Sequence, residues 1–238
     1  MSGTGPVSGG ASRGEPEGIR QHRFVAPPGA TTVLVVRHGE SAAEVPGKPF
    51  PLRDGHGDPE LHPVGVRQAE LLADRLAGER IDAIYVTTLR RTHETAAPLA
   101  RRLGLTPIEE PGLREVFLGE WEGGLFRQRA TEGDPIFAQI FTEERWDVIP
   151  GAEAHDQFDA RVWRGLHNIV GAHPDECVMV VSHGGVIGQL LHRVTSSRRF
   201  AFAGADNASI SEIVASDERI MHHTGHRTRR LVRAYRDG

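Results

Sequence analysis

The chain is poor in cysteine. Cys177 is the single one in 238 residues, so no internal disulfide forms. It opens an apolar run and reads as a buried, inert thiol. Long apolar stretches are also missing: none approaches the roughly 20 residues of a membrane span. The first residues lack the apolar core of a signal peptide, which points to a cytoplasmic protein. Neither sign of charge dominates. Lys and Arg number 28 against 32 Asp and Glu, a formal net charge of -4, which gives no reason to expect nucleic acid or an anionic membrane as partner.

Several catalytic signatures are absent too. There is no Gly-x-x-x-x-Gly-Lys loop and no Gly-x-Gly-x-x-Gly after a strand, which excludes the common nucleotide-binding loops. Ser41 and Ser182-His183 raise the idea of a serine hydrolase, but the Gly-x-Ser-x-Gly elbow is lacking. His222, His223 and His226 lack carboxylate or cysteine partners at ligand spacing, so no metal site is read there.

What is present fits a globular chain: 38% hydrophobic, 25% charged, and long enough for one domain with a full core. Residues 1–30, rich in Gly, Pro and Ser, read as a disordered tail, leaving 31–238 as the domain. Val33-Leu34-Val35-Val36 reads as a strand buried on both faces, and Arg37-His38-Gly39-Glu40-Ser41 follows at once. The design recurs at Val178-Met179-Val180-Val181-Ser182-His183-Gly184-Gly185. Ligands of α/β proteins bind beyond the carboxyl ends of strands, so two imidazoles at such ends mark a site.

Between them, residues 41–60 carry too much Pro and Gly for a helix or central strand and read as a wall of that site. Pro63 opens a helix with Gly65, Ala69, Leu72 and Leu76 on one face and Gly78 as its stop. A strand over 81–86 leads to a helix capped by Thr87 or Thr88 and running to Leu103. Arg90 and Arg91 fall in its first turn, the wrong charge for a helix N-terminus unless an anion binds there; Arg90 is assigned to the surface. A short strand is expected at 105–108, and turns at Gly119, Gly123 and Gly124. Helices follow over 134–145, over the Phe158, Val162, Leu166, Ile169 and Val170 stripe, and from Gly184 to Val194. Residues 208–215, 218–223 and 230–235 read as strands or a hairpin. Alternating strands and helices imply a mostly parallel sheet covered on both sides.

Histidines and arginines at strand ends suit a phosphate. Guanidinium forks bind its oxygens in pairs, and an imidazole can attack phosphorus.

At these residues the chain resembles the histidine phosphatases, the phosphoglycerate-mutase-like superfamily. The resemblance spans 32–235 and rests on motifs in order: Arg37-His38-Gly39-Glu40-Ser41, then Asp58-Pro59-x-Leu61-x-x-x-Gly65-x-x-Gln68-Ala69. Leu89-x-Arg91-x-x-x-Thr95-Ala96, Leu113-Arg114-Glu115-x-x-x-Gly119-x-Trp121-Glu122-Gly123 and Val181-Ser182-His183-Gly184-Gly185 complete the set. It implies an α/β/α sandwich of three layers and a phosphatase acting on a small phosphorylated substrate. His38 would be the nucleophile; Arg37, Arg91 and His183 would hold the phosphoryl oxygens, with Ser41 also at the substrate. Glu115 would protonate the leaving oxygen and then take a proton from water. No metal or other cofactor is implied.

A phosphomutase and a non-catalytic phospho-ligand binding protein are the rivals. The intact set of His38, Arg37, Arg91, Glu115 and His183 argues against the second. Against the first, Ala42-Ala43-Glu44 stands where mutases reach a substrate-binding Asn, and Glu115-Val116-Phe117-Leu118-Gly119 replaces their Glu-Arg-His-Tyr-Gly. Arg127 and Arg145 are candidates to compensate. Substrate preference is expected from residues 42–60 and 120–150, with Phe126, Phe137, Phe141 and Trp146 as an apolar wall.

Overall fold

The four apolar residues after Thr32 alternate between two cores. Val33 and Val35 join one buried cluster, Leu34 and Val36 another. A strand sends successive side chains to opposite faces, so an unbroken apolar run must be covered on both. The computed structural model of the protein describes residues 24–216 and 220–223, and in it β1 (Thr31–Arg37) lies within a six-stranded sheet.

Its neighbours are β6 (Cys177–Ser182), parallel, and β7 (Ile210–Ala215), antiparallel. Beyond β6 come β4 (Ala83–Val86) and β5 (Ile108–Glu109), both parallel; β8 (Ile220–His223) pairs antiparallel with β7. The order is β5-β4-β6-β1-β7-β8. Helices α1 (Pro63–Leu76) and α2 (Arg90–Leu103) supply Leu72, Leu76, Ala96 and Leu99 to one core. Helices α5 (His155–Ala172) and α6 (Gly184–Thr195) supply Phe158, Val162, Leu166, Ile187 and Leu190 to the other. This is the α/β/α sandwich with a mostly parallel sheet.

The differences from expectation are local. Helix α1 stops at Leu76 with Ala77 as its cap, short of Gly78. Leu89, without a side-chain cap, precedes α2. Thr87 is used elsewhere: its hydroxyl meets Thr92 and His183. The Arg90 amide is instead met from across the fold by Asp58 Oδ1 at 2.7 Å. Residues 41–60 are irregular except for a small hairpin of β2 (Leu52–Arg53) and β3 (His56–Gly57). Its turn, Asp54-Gly55, has both φ values positive, the left-handed pair such a tight hairpin needs.

A helix α3 (Leu125–Glu132) stands between the turns expected up to Gly124 and the helix expected from residue 134, where no element was expected. It buries none of its residues, so it carries no apolar stripe to read. Asp134 caps α4 (Pro135–Glu143) and is not part of it. Cys177 is half-buried rather than buried. Residues 1–23 of the expected tail, and 224–238 with His226 and the expected strand at 230–235, lie outside the described residues. Among the described residues no helix is long and apolar enough to cross a membrane.

Phe158 is fully buried under the sheet. Phe158→Ala should cost about 3–5 kcal/mol through lost transfer energy and the cavity left behind. A lowered urea midpoint at unchanged slope is the expected result.

Candidate active site

Arg37 of β1 stands opposite Ser182 of β6 in a parallel register. The residues that follow, His38 and His183, therefore emerge side by side. The His38 amide bonds the Ser182 carbonyl at 2.9 Å, and the two rings meet edge to face, 5.2 Å between centroids. The strand beyond β6 is β4, in register at Val86 and Val181, so Thr87 lies beside them and its Oγ1 is 3.0 Å from His183 Nε2.

His38 is held by Gly39 and Asn207. Its Nδ1 is 2.7 Å from the Gly39 carbonyl, an oxygen that only accepts. Nδ1 therefore carries the proton, and Nε2 is left with a lone pair. Asn207 Nδ2 donates to the His38 carbonyl at 2.9 Å. The turn after His38 rests on α1 through two glycines. A Cβ on Gly39 would sit 2.6 Å from the Gly65 carbonyl, and one on Gly65 would collide with the Glu40 backbone. Only residues without side chains let these segments touch.

The cations gather around His38. Arg91, 8% exposed, donates to the Gly57 carbonyl at 2.9 Å. Arg37 donates to the Ala205 carbonyl at 2.5 Å, and its Nε is buried without a partner. Arg127, on α3 at the cleft's rim, donates to Ser41 Oγ at 2.7 Å and the Ala42 carbonyl at 2.8 Å. Among the described residues none of the three forms an ion pair with a carboxylate, unlike Arg90, which pairs with Glu60 and Glu94 at the surface.

Burial pulls the Arg91 pKa down to about 10, although Glu115, Asp58 and Glu122 act the other way. The Arg127 pKa is lowered by burial and by Arg37. His38 is held well below 6.5 by burial first, then by Arg91 and Arg37; the Gly39 bond opposes them. His183 is likewise well below 6.5, through burial first and then Arg91 and His38. Neutral imidazoles among unpaired guanidinium groups make a site whose missing charge is negative.

Glu115 faces the same cleft from the segment after β5. Its Oε1 accepts from the Val116 amide at 3.0 Å and its Oε2 from the Gly185 amide at 3.2 Å, in the first turn of α6. A carboxylate is favoured at that helix end. Arg161 of α5 clamps the segment: it donates to the Gly112, Arg114 and Glu115 carbonyls at 2.9, 2.7 and 2.8 Å while pairing with Glu153.

The cleft measures about 850 Å³, and Arg37, His38, Ser41, Arg91 and Glu115 line it. His183 is fully buried behind His38 and does not line it; its Nδ1 has no partner. Phe126 and Trp146 line the cleft, but Phe137 and Phe141 stand in a second row, Phe137 against Phe126 and Phe141 against Phe200. Arg145 faces away, paired with Asp147. Asn207 and Arg161 had no signal in the sequence: each lies far along the chain from the groups it holds.

This arrangement has known relatives. The pattern of the histidine phosphatase superfamily (branch 1) matches residues 33–224, and the chain belongs to that family. Phosphoglycerate mutase-like protein 4 of Arabidopsis thaliana is 37% identical over 171 residues, 70% of this chain and 72% of the relative. A metal-independent phosphoserine phosphatase of the same plant is 31% identical over 79% of this chain and 78% of its own. Among solved structures, a mycobacterial glucosyl-3-phosphoglycerate phosphatase superposes with a TM-score of 0.66 at 27% identity, covering 82% of this chain and 96% of that one. The protein is an enzyme, a phosphatase of the histidine phosphatase type.

The buried imidazoles make stability depend on pH. The folded state holds His38 and His183 well below 6.5, whereas the unfolded chain protonates them near that value. As pH falls through 6.5 the unfolded state binds more protons, so stability declines and keeps declining until the folded pKa values are reached. The urea midpoint should drop between about pH 7.5 and 5.5, above the carboxylate range, and His183→Gln should flatten the drop. A level midpoint in the unmodified protein would contradict neutral buried imidazoles.

Proposed function

We propose that His38 is the nucleophile of a metal-independent phosphomonoesterase with two steps. The observation that carries this reading is the neutral His38, with its proton on Nδ1, set among Arg37, Arg91 and Arg127, which lack carboxylate partners. In the first step Nε2 attacks phosphorus, the bond from phosphorus to the ester oxygen breaks, and Glu115 gives that oxygen a proton. In the second, water attacks the phosphohistidine, the P–N bond breaks, and Glu115 takes the water's proton as inorganic phosphate leaves.

Arg37 and Arg91 bind the phosphoryl oxygens, and Ser41, already bonded to Arg127, sits at their edge. His183, edge to face with His38, backs the attacking ring and is assigned to the same phosphoryl group through it. Positive charge fixed where negative charge gathers takes the place a metal would hold. The catalytic unit is assigned to the domain that begins at residue 31. The substrate is a small molecule rather than a nucleic acid, a reading supported by the net charge of -4 and by Glu40, Glu44 and Glu132 along the cleft. Hydrolysis is favoured over phosphoryl return: Glu44 lines the cleft where a mutase would hold its acidic substrate.

Incubation with a radiolabelled phosphomonoester should leave acid-labile, base-stable label on the protein. His38→Ala should abolish both label and turnover, and His183→Ala should lower turnover by about 10²–10³. Chelators should have no effect and vanadate should inhibit. A His38→Ala enzyme with a tenth of the normal rate, or 3-phosphoglycerate isomerised faster than phosphate is released, would refute the reading.

A further inference from the structure

The residues assigned so far occupy one end of the cleft, yet its volume of about 850 Å³ is that of a site for a drug-sized ligand. The remainder must take the leaving group. One side is aromatic: Phe126 lies between Trp121 and Trp146, 6.1 Å from each ring centroid, and all three line the cleft. Across from them is the loop carrying Phe50, which is also part of the lining. The rings are locked in place. Phe126 packs on Phe137, Trp146 on Phe200, and Trp121 is 4% exposed.

Helix α3 docks on the loop that holds Glu44 and Phe50. Gly124 makes this possible, since a Cβ there would be 2.6 Å from Glu44 Cγ and 3.2 Å from the Phe50 ring.

Charge then separates the two ends. Arg37 and Arg91 stand beside His38 at the phosphoryl end. Arg127 also lines the cleft, over the Phe50 ring at 5.2 Å, and the carboxylates of Glu40 and Glu44 offset its charge while its N–H groups go to Ser41 and Ala42. Among the described residues lining the rest of the cleft are the carboxylates of Glu40, Glu44 and Glu132, and no further Arg or Lys. Gln128 donates to Glu44 and holds that carboxylate against the opening. A leaving group with its own carboxylate or second phosphate would meet like charge there, whereas a flat apolar one would lie on the rings.

We propose that the preferred substrate is the phosphomonoester of an aromatic or similarly flat apolar alcohol that bears no second negative charge. The proposal rests on the phosphatase reading above. The reaction is the same hydrolysis: the bond from phosphorus to the aryl oxygen breaks, that oxygen takes the proton of Glu115 and departs as the phenol, and water then displaces His38 from phosphorus, supplying the fourth oxygen of inorganic phosphate and returning a proton to Glu115.

The test compares kcat/KM for 2-naphthyl phosphate, 4-methylphenyl phosphate, 4-carboxyphenyl phosphate, 3-phosphoglycerate and glycerol 3-phosphate. The neutral 4-methylphenyl ester should exceed its 4-carboxy analogue by about tenfold, although the carboxylate makes the better leaving group. Glu44→Gln combined with Glu132→Gln should shrink that ratio to about threefold or less, because Glu132 is exposed, Glu44 is half-buried, and the exchange removes the charge while keeping shape. Phe126→Ala and Trp146→Ala should each lower the ratio of 2-naphthyl to glycerol phosphate by about tenfold, and Trp146→Phe should recover most of it.

Faster turnover of 3-phosphoglycerate or the 4-carboxy ester, or ratios that the variants leave unchanged, would overturn the proposal while His38 labelling still showed a phosphatase. No turnover of any ester and no label on His38 would instead remove the phosphatase reading itself.

Discussion

The parallel pairing of β1 with β6 is the constraint on which the site depends. Its register puts Arg37 opposite Ser182, and the amide of His38 closes the ladder on the Ser182 carbonyl at 2.9 Å. A slip by one residue would exchange the side chains the two cores receive, Val33 and Val35 for Leu34 and Val36, so the close packing of both cores holds the register in place. The two imidazoles are adjacent because each directly follows a residue of the Arg37–Ser182 pair. The interlocked Gly39 and Gly65 extend the same constraint to α1. The site is thus fixed by main chain and core, and its side chains inherit that precision.

That scaffold carries an electrostatic load. Arg91 is buried with its pKa brought down to about 10, and Arg37 has a buried Nε with no partner. Such groups destabilise a fold in the absence of a counter-charge. A helix N-terminus bearing Arg90 and Arg91 adds to the cost. Asp58 relieves it in part by accepting from the Arg90 amide, and Arg90 finds Glu60 and Glu94 at the surface. Among the described residues the Arg91 guanidinium donates a hydrogen bond only to the Gly57 carbonyl. Burial first, then Arg91 and Arg37, lowers the pKa of His38 and leaves it a neutral base, so the cations that destabilise the fold also prepare the nucleophile.

Glu115 and the aromatic wall are positioned by different means. Glu115 stands on a segment without regular structure and is held from α5 by Arg161 and from α6 by the Gly185 amide. Phe126 belongs to a third cluster with Trp121 and Ile140, and Trp146 packs against both that cluster and one of the cores that sandwich the sheet. The chemistry is thus built on the sheet, and the leaving-group pocket on an addition that can vary without disturbing it.

The sequence by itself determined the strands, most helices and the identity of the chemistry. Apolar runs of Val and Leu leave only one way to be buried, and an imidazole and a guanidinium directly after a strand have few uses outside a site. His38, Arg37, Arg91, Ser41 and Glu115 were therefore legible from local pattern and motif, and the cleft gathers them. Only the tertiary structure decided the rest. It put Thr87 on His183 instead of on a helix end, and it placed His183 behind His38. It brought Asn207, Arg161 and Arg127 to residues far from them along the chain. It also moved Phe137 and Phe141 out of the cleft's lining. Each of these depends on contacts between distant segments, and hydrogen bonds and packing of that kind leave no periodicity in a single chain for a reader to find.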